Sequence, residues 1–183
     1  MIRSPRKRLW LPSFLIVSAL ALGAAPAVQA ADIQVGFSPE GSAEVLVLDV
    51  LQSAQHQIRM MGYSFTSPKI VKALIAAKQR GVDVRIVLDE QGNRSKASRA
   101  AMNLVVNAGI PLRTDSAYKI QHDKVIISDG RNVQTGSFNY SAAAANSNSE
   151  NALVIWDFPD VAKPYLSHWQ SRWDQGQQYK STY

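Results

Sequence analysis

The sequence predicts an α/β fold, a mixed β-sheet flanked by helices on both faces in an α/β/α sandwich. Three observations predict it. Short apolar strand-like segments alternate with longer segments that carry helix start and stop signals. One strand, Val82 to Leu88, is largely apolar, as expected of a strand buried on both faces. The alternation then gives way to a hairpin at Asp129-Gly130, which places antiparallel strands beside the earlier ones.

Taken in order, Ile33 to Phe37 reads as the first strand. Ser38-Pro39-Glu40 supplies an N-cap, a first-turn proline and an early acid, and predicts a helix running to about Ala54. Ile58 to Tyr63 is the second strand. Ser67-Pro68 repeats the cap-and-proline device for a helix that reaches Arg80 and stops at Gly81. After the Val82 to Leu88 strand a third helix covers roughly Ser95 to Asn107, ended by Gly109 and Pro111. Asp123 to Ser128 and Asn132 to Thr135 form the hairpin arms. Ala152 to Trp156 is a further strand, and Pro159-Asp160 opens a last helix to about Trp173. Trp169 and Trp173 lie four apart on that helix and read as core residues.

The first thirty residues read as a removable signal peptide. Arg3, Arg6, Lys7 and Arg8 precede an apolar stretch, and Val28-Gln29-Ala30 places small residues where a signal peptidase cuts, after Ala30. Residues 31–183 then form a single domain, periplasmic or secreted, with no stable membrane association after cleavage. Removing the leader changes the charge argument. The whole chain carries 20 basic and 14 acidic side chains, but four of the basic ones leave with the leader and the remainder is only +2. Affinity for a polyanion must come from how charge is arranged rather than from its total. There is no cysteine, which excludes a disulfide framework and a thiolate metal site.

The chemistry is concentrated between His122 and Asn139, which follow the pattern H-x-K-x4-D-x6-G-S-x-N. Six fixed positions recur by chance at on the order of 10⁻⁶ per chain, so the pattern is informative. On a strand, residues two apart share a face, so His122 and Lys124 project together as a nucleophile and a charge clamp for one phosphate. The hairpin returns Gly136, Ser137 and Asn139 to the same edge. Glycine permits close approach of substrate, while a hydroxyl and an amide donate to phosphate oxygens. Asp129 sits where a hairpin turn wants Asp before Gly, so a turn role stands beside a chemical one. Ser137 and Asn139 have a second reading as caps of a following helix. A Ser-His-Asp triad from Ser137, His122 and Asp129 lacks the G-x-S-x-G elbow. A metal hydrolase would need clustered ligands, whereas the three histidines are far apart and no H-E-x-x-H is present. His56 and His168 read as surface or packing residues.

These residues resemble the phospholipase D superfamily, and in particular its small bacterial periplasmic endonucleases. The resemblance extends to Gly41-Ser42-Ala43, Met60 to Thr66, Gly81 to Val84, Gly109 to Thr114 and Asn148 to Asn151. Larger members carry two copies of the motif, and this chain carries one. The resemblance therefore implies a homodimer with one site on the two-fold axis. It implies that one His122 forms a phosphohistidine while the other protonates the leaving oxygen and then activates water. Lys124, Ser137 and Asn139 would hold phosphate oxygens, and Glu150 would fix the tautomer of the histidine ring. Asp129 and Gly136 would have supporting roles. No metal and no cofactor is implied. Because one imidazole must be neutral and one protonated, and histidine titrates near about 6.5, a bell-shaped pH dependence follows.

The motif specifies a phosphodiester without specifying whose. DNA, single- or double-stranded, is the expected partner, with RNA also open, and nothing resembles a sequence-reading module. Arg94, Lys96 and Arg99 are candidates for backbone contacts, with a solvated helix face as the alternative. Two other functions remain: a phospholipase D or phosphatidyl transferase using the same motif, and a catalytically silent nucleic-acid-binding dimer.

Overall fold

The computed structural model describes residues 32–183; the expected signal peptide lies outside them. Eight strands form one mixed sheet: β1 (Asp32–Ser38), β2 (Gln57–Gly62), β3 (Asp83–Asp89), β4 (Leu112–Asp115), β5 (Lys124–Ser128), β6 (Asn132–Gly136), β7 (Glu150–Trp156) and β8 (Gln177–Gln178). Their spatial order is β1-β7-β6-β5-β2-β3-β4-β8. Only β2, β3 and β4 run parallel to one another, and the other pairings are antiparallel. The parallel strands are joined by α2 (Pro68–Gln79) and α3 (Lys96–Asn107), the crossovers that parallel pairing requires.

Two apolar layers make the sandwich. On one face α1 (Ser42–Ser53), α2 and α3 close over a core that includes Val47, Leu51, Leu74, Ile86 and Ile126. On the other face α5 (Pro159–Gln175) packs Ala162 and Trp169 against Met61, Val87, Val125 and Val133. Trp169 is 2% exposed, stacks on Trp173 at 5.2 Å and donates Nε1–H to Met60 O at 3.1 Å, so both tryptophans serve the core. Among the described residues no helix is long and apolar enough to cross a membrane.

The punctuation of the sequence is recovered in detail at most joints. Ser67 caps α2 by accepting from Ile70 N, with Pro68 following it, and Gly81 adopts a φ of +92° beyond the helix end. Ser95 caps α3 by accepting from Ser98 N. The β5–β6 turn has φ of +54° at Asp129 and +67° at Gly130, the paired positive values that this hairpin type needs.

One expectation changes, and two strands were not foreseen. Ser38 ends β1 instead of capping α1, because it pairs with Glu150 in the β1–β7 ladder; a cis Ser38–Pro39 bond and Gly41 lead into α1, which starts at Ser42. The stretch after Pro111 contains β4, only four residues long, whose signal is too short to read. β8 is two exposed glutamines held by pairing with β4, and no apolar pattern marks it.

Candidate active site

The sheet places its chemistry at one edge of the β5–β6–β7 segment. β5 is buried along its whole length and begins at Lys124, paired with Gly62, the last residue of β2. His122 therefore precedes the strand rather than lying in it, because β2 offers no further backbone to pair with. The two side chains still meet. His122 is exposed, Lys124 is 6% exposed, and both line one cavity of about 550 Å³ with Gly136, Ser137, Asn139, Glu150 and Asn151.

Each neighbour has a local cause. Gly136, the last residue of β6, has a φ of +143°, and a Cβ there would stand 2.3 Å from Asn151 O, so only glycine lets β6 and β7 close at this point. Ser137 Oγ accepts from Asn151 N at 3.0 Å and Asn151 Nδ2 at 3.3 Å, which leaves its own O–H to donate into the cavity. The side-chain oxygen of Asn139 is buried without a partner in the described chain. The following segment is tied down where Tyr140 O accepts from Thr66 N and Ser67 N, both at 2.9 Å. The cap of α4 (Ala142–Asn146) is Ser141, which accepts from Ala144 N, so the capping reading of Ser137 and Asn139 is set aside.

Lys124 dominates the electrostatics. Burial pushes its ammonium below the ordinary lysine range, and the carboxylates of Glu150 and Asp123 pull it partway back. Its Nζ donates to His122 O at 3.0 Å and lies 5.4 Å from the centroid of the Tyr63 ring. Glu150 stands in the cavity but accepts from Asn148 Nδ2 at 2.9 Å, not from the His122 ring. That ring instead meets Tyr63 edge-on, with centroids 4.8 Å apart at 62°. Asp123 faces away and pairs with His168 at 3.3 Å, consistent with a packing role for His168.

Asp129 is at the far end of β5, away from the cavity. Its carboxylate accepts from the backbone N–H groups of Gln55, His56 and Gln57 at 2.8–2.9 Å. Burial would raise this carboxyl, and the three donors outweigh it and hold it below the usual range. It fastens the β5–β6 turn to the start of β2. Arg94, Lys96 and Arg99 are exposed outside the cavity lining, with Arg94 paired to Glu90 at 2.7 Å. Sequence reasoning did not single out Tyr63 or Asn151. Both lay within segments already matched to the family, Met60 to Thr66 and Asn148 to Asn151, but no local signal marks a role for either. No group of three or more His, Cys, Asp or Glu among the described residues could hold a metal ion.

A family model described as "Cardiolipin synthase, PLD-like domain" matches residues 47–173. The chain belongs to the phospholipase D superfamily, a family of phosphodiesterases. It is 62% identical to Nuc from Salmonella typhimurium, a phospholipase D family member whose crystal structure it matches with a TM-score of 0.82 over 83% of this chain and 100% of that one. A phospholipase D of Rickettsia bellii is 38% identical over 136 residues, 74% of this chain and 66% of the relative. Human mitochondrial cardiolipin hydrolase is 31% identical over 185 aligned positions, which take in 99% of this chain and 72% of that protein.

Proposed function

We propose that this chain is a metal-independent, largely non-specific endonuclease that hydrolyses phosphodiesters of DNA, and of RNA as a second polymer, through a phosphohistidine in a site shared by two copies. The observation that carries the reading is the convergence of His122, Lys124, Ser137 and Asn139 on one cavity of about 550 Å³. The His122 imidazole attacks phosphorus in line, forming a P–N bond as the bond to the leaving oxygen breaks. The partner subunit's His122 gives that oxygen its proton, then takes one from water as the water displaces the histidine. Lys124, the Ser137 hydroxyl and the Asn139 amide stabilise charge on the other oxygens. Glu150 acts beside them as the acid that offsets Lys124 and orients the histidine once two chains come together.

One imidazole per cavity makes the second copy necessary, and the sheet offers it a surface. α1 covers one face of β1 and β7, while α5 packs on β2 to β6 and leaves their other face open. There Ile33, Val35 and Phe37 are 52–57% exposed, and Phe37 pairs with Asn151 at the cavity wall. An apolar strip continuous with the site fits an isologous dimer. Export as a leader-cleaved periplasmic or secreted protein completes the reading, and N-terminal sequencing of the exported chain should begin at Ala31.

The test is plasmid cleavage by the protein lacking residues 1–30 in excess EDTA, beside a His122→Ala control and a Val35→Glu variant. Cleavage should resist EDTA, vanish in His122→Ala, and fall at least about tenfold in Val35→Glu as sedimentation shifts from dimer to monomer. Intact DNA affinity without strand cleavage would instead identify a silent binding dimer. The names of the Rickettsia and human relatives favour a second reading, phospholipid hydrolysis or phosphatidyl transfer at the same residues. Release of head group from anionic vesicles, with inert plasmid, would replace the nuclease reading by that one.

A further inference from the structure

We infer that Tyr63 is a positioning residue of the candidate site: its ring, carried on backbone anchored by the buried pair Asp89 and Asn93, sets the orientation of the His122 imidazole and offers its face to the Lys124 ammonium. The inference rests on the reading of His122 as nucleophile.

Tyr63 is the first residue beyond β2, where the chain leaves the sheet beside His122. Within the described residues neither nitrogen of the His122 ring is hydrogen-bonded, and the side chain is exposed. An exposed imidazole turns freely about two torsions, which scatters a nucleophile away from an in-line approach. The edge contact with Tyr63 at 4.8 Å is what restricts it. The same ring lies 5.4 Å from Lys124 Nζ, within reach of a cation–π attraction. Both contacts are made by the ring, not the hydroxyl.

A ring can orient another only if the chain that carries it is fixed, and two side chains fix the backbone at Tyr63. Asp89 and Asn93 are each 1% exposed. Asn93 Nδ2 donates to Tyr63 O at 2.7 Å and to Asp89 O at 2.8 Å, and its Oδ1 accepts from Phe65 N at 2.9 Å. The Asp89 carboxylate accepts from Gly92 N and, at 2.8 Å, from Gln121 N. These bonds join the segment carrying Tyr63 to the residue immediately before His122. Gly92 closes the arrangement: a Cβ there would come within 2.7 Å of Tyr63 O and 2.9 Å of its ring, so the ring rests on bare backbone. Tyr63 is thus wedged between a glycine held by Asp89 and a histidine whose chain neighbour is held by the same carboxylate. None of Tyr63, Asp89 or Asn93 lines the cavity.

The experiment uses the small diester bis-p-nitrophenyl phosphate. Wild type and His122→Ala are compared first: a fully active His122→Ala would end the parent reading whatever Tyr63 does, while its inactivity leaves the inference to be judged alone. Tyr63→Leu should then lower kcat on the order of 10²-fold, as expected for a misaligned nucleophile. Its KM and the kcat of Tyr63→Phe should stay within about threefold of wild type. The alkaline limb of the rate profile should move to lower pH in Tyr63→Leu and stay in place in Tyr63→Phe. The proton resonances of the His122 ring, identified by their loss in His122→Ala, should be displaced by the ring current in wild type and Tyr63→Phe. Undisplaced resonances in wild type, a loss in Tyr63→Phe as large as in Tyr63→Leu, or a Tyr63→Leu enzyme with normal kcat would each overturn the inference. If Tyr63→Leu does not fold, the wild-type resonances and the Tyr63→Phe kinetics decide it.

Discussion

Lys124 is a charged side chain kept almost wholly from solvent beside a cavity proposed to receive a diester anion. Desolvation lowers its proton affinity, and the two carboxylates that counter this are Glu150 and Asp123. The ammonium form is therefore present below a value that lies under the ordinary lysine figure of about 10.4, and is lost as pH rises through it. On bis-p-nitrophenyl phosphate the leaving group departs without the proton that the histidine pair must give a sugar oxygen, so the alkaline limb is left to Lys124. If the ammonium clamps phosphate, activity should fall there earlier than an exposed lysine would allow. Glu150→Gln removes the larger of the two carboxylate influences, so it should move that limb to still lower pH. A pH–rate profile of the two proteins checks this, and an unmoved limb would detach Lys124 from the reaction. At this scale the motif spacing was enough to gather His122, Lys124, Ser137 and Asn139, because a hairpin fixes which residues face each other. Tyr63 and Asn151 fell in segments matched to the family, but their roles were not legible, since their contacts are made across segments far apart in sequence and depend on where β2 ends and β7 begins.

The elements read from sequence are those whose signals are local. Ser67-Pro68, Gly81, Ser95 and Asp129-Gly130 state their turns and caps in adjacent residues, and the structure places each accordingly. The start of α1 was misjudged because strand pairing claimed Ser38, and β4 and β8 are defined by partners rather than by pattern. Asp129 links the two kinds of information. Its turn role is local, but its carboxylate also gathers three backbone donors at the entrance to β2. Asp129→Ala should cost about 1–2 kcal/mol, with solvent screening keeping it toward the lower figure. Its carboxyl is depressed in the folded state, so this contribution is complete above the unfolded value of about 3.9 and disappears as pH falls through the folded one. Urea unfolding at neutral pH and again near pH 3 should find the difference between wild type and variant shrinking in acid. A constant difference would mean that the charge of Asp129 is not what holds the turn.

At the scale of the whole molecule, one sheet with two unequal coverings organises the account. α1, α2 and α3 seal one face, α5 seals part of the other, and the uncovered part at β1 and β7 adjoins the cavity. A single imidazole in that cavity can attack phosphorus but cannot also protonate the leaving oxygen, which is why the proposed reaction needs two copies and two steps. Each in-line displacement inverts the configuration at phosphorus, so two in succession restore it. The direct measurement is hydrolysis of a phosphorothioate diester of known configuration in oxygen-18 water, followed by assignment of the product's stereochemistry. Retention is the predicted result, because His122 and water attack from opposite sides in turn. Inversion would mean that water attacks the diester directly, and would contradict the phosphohistidine on which the account rests.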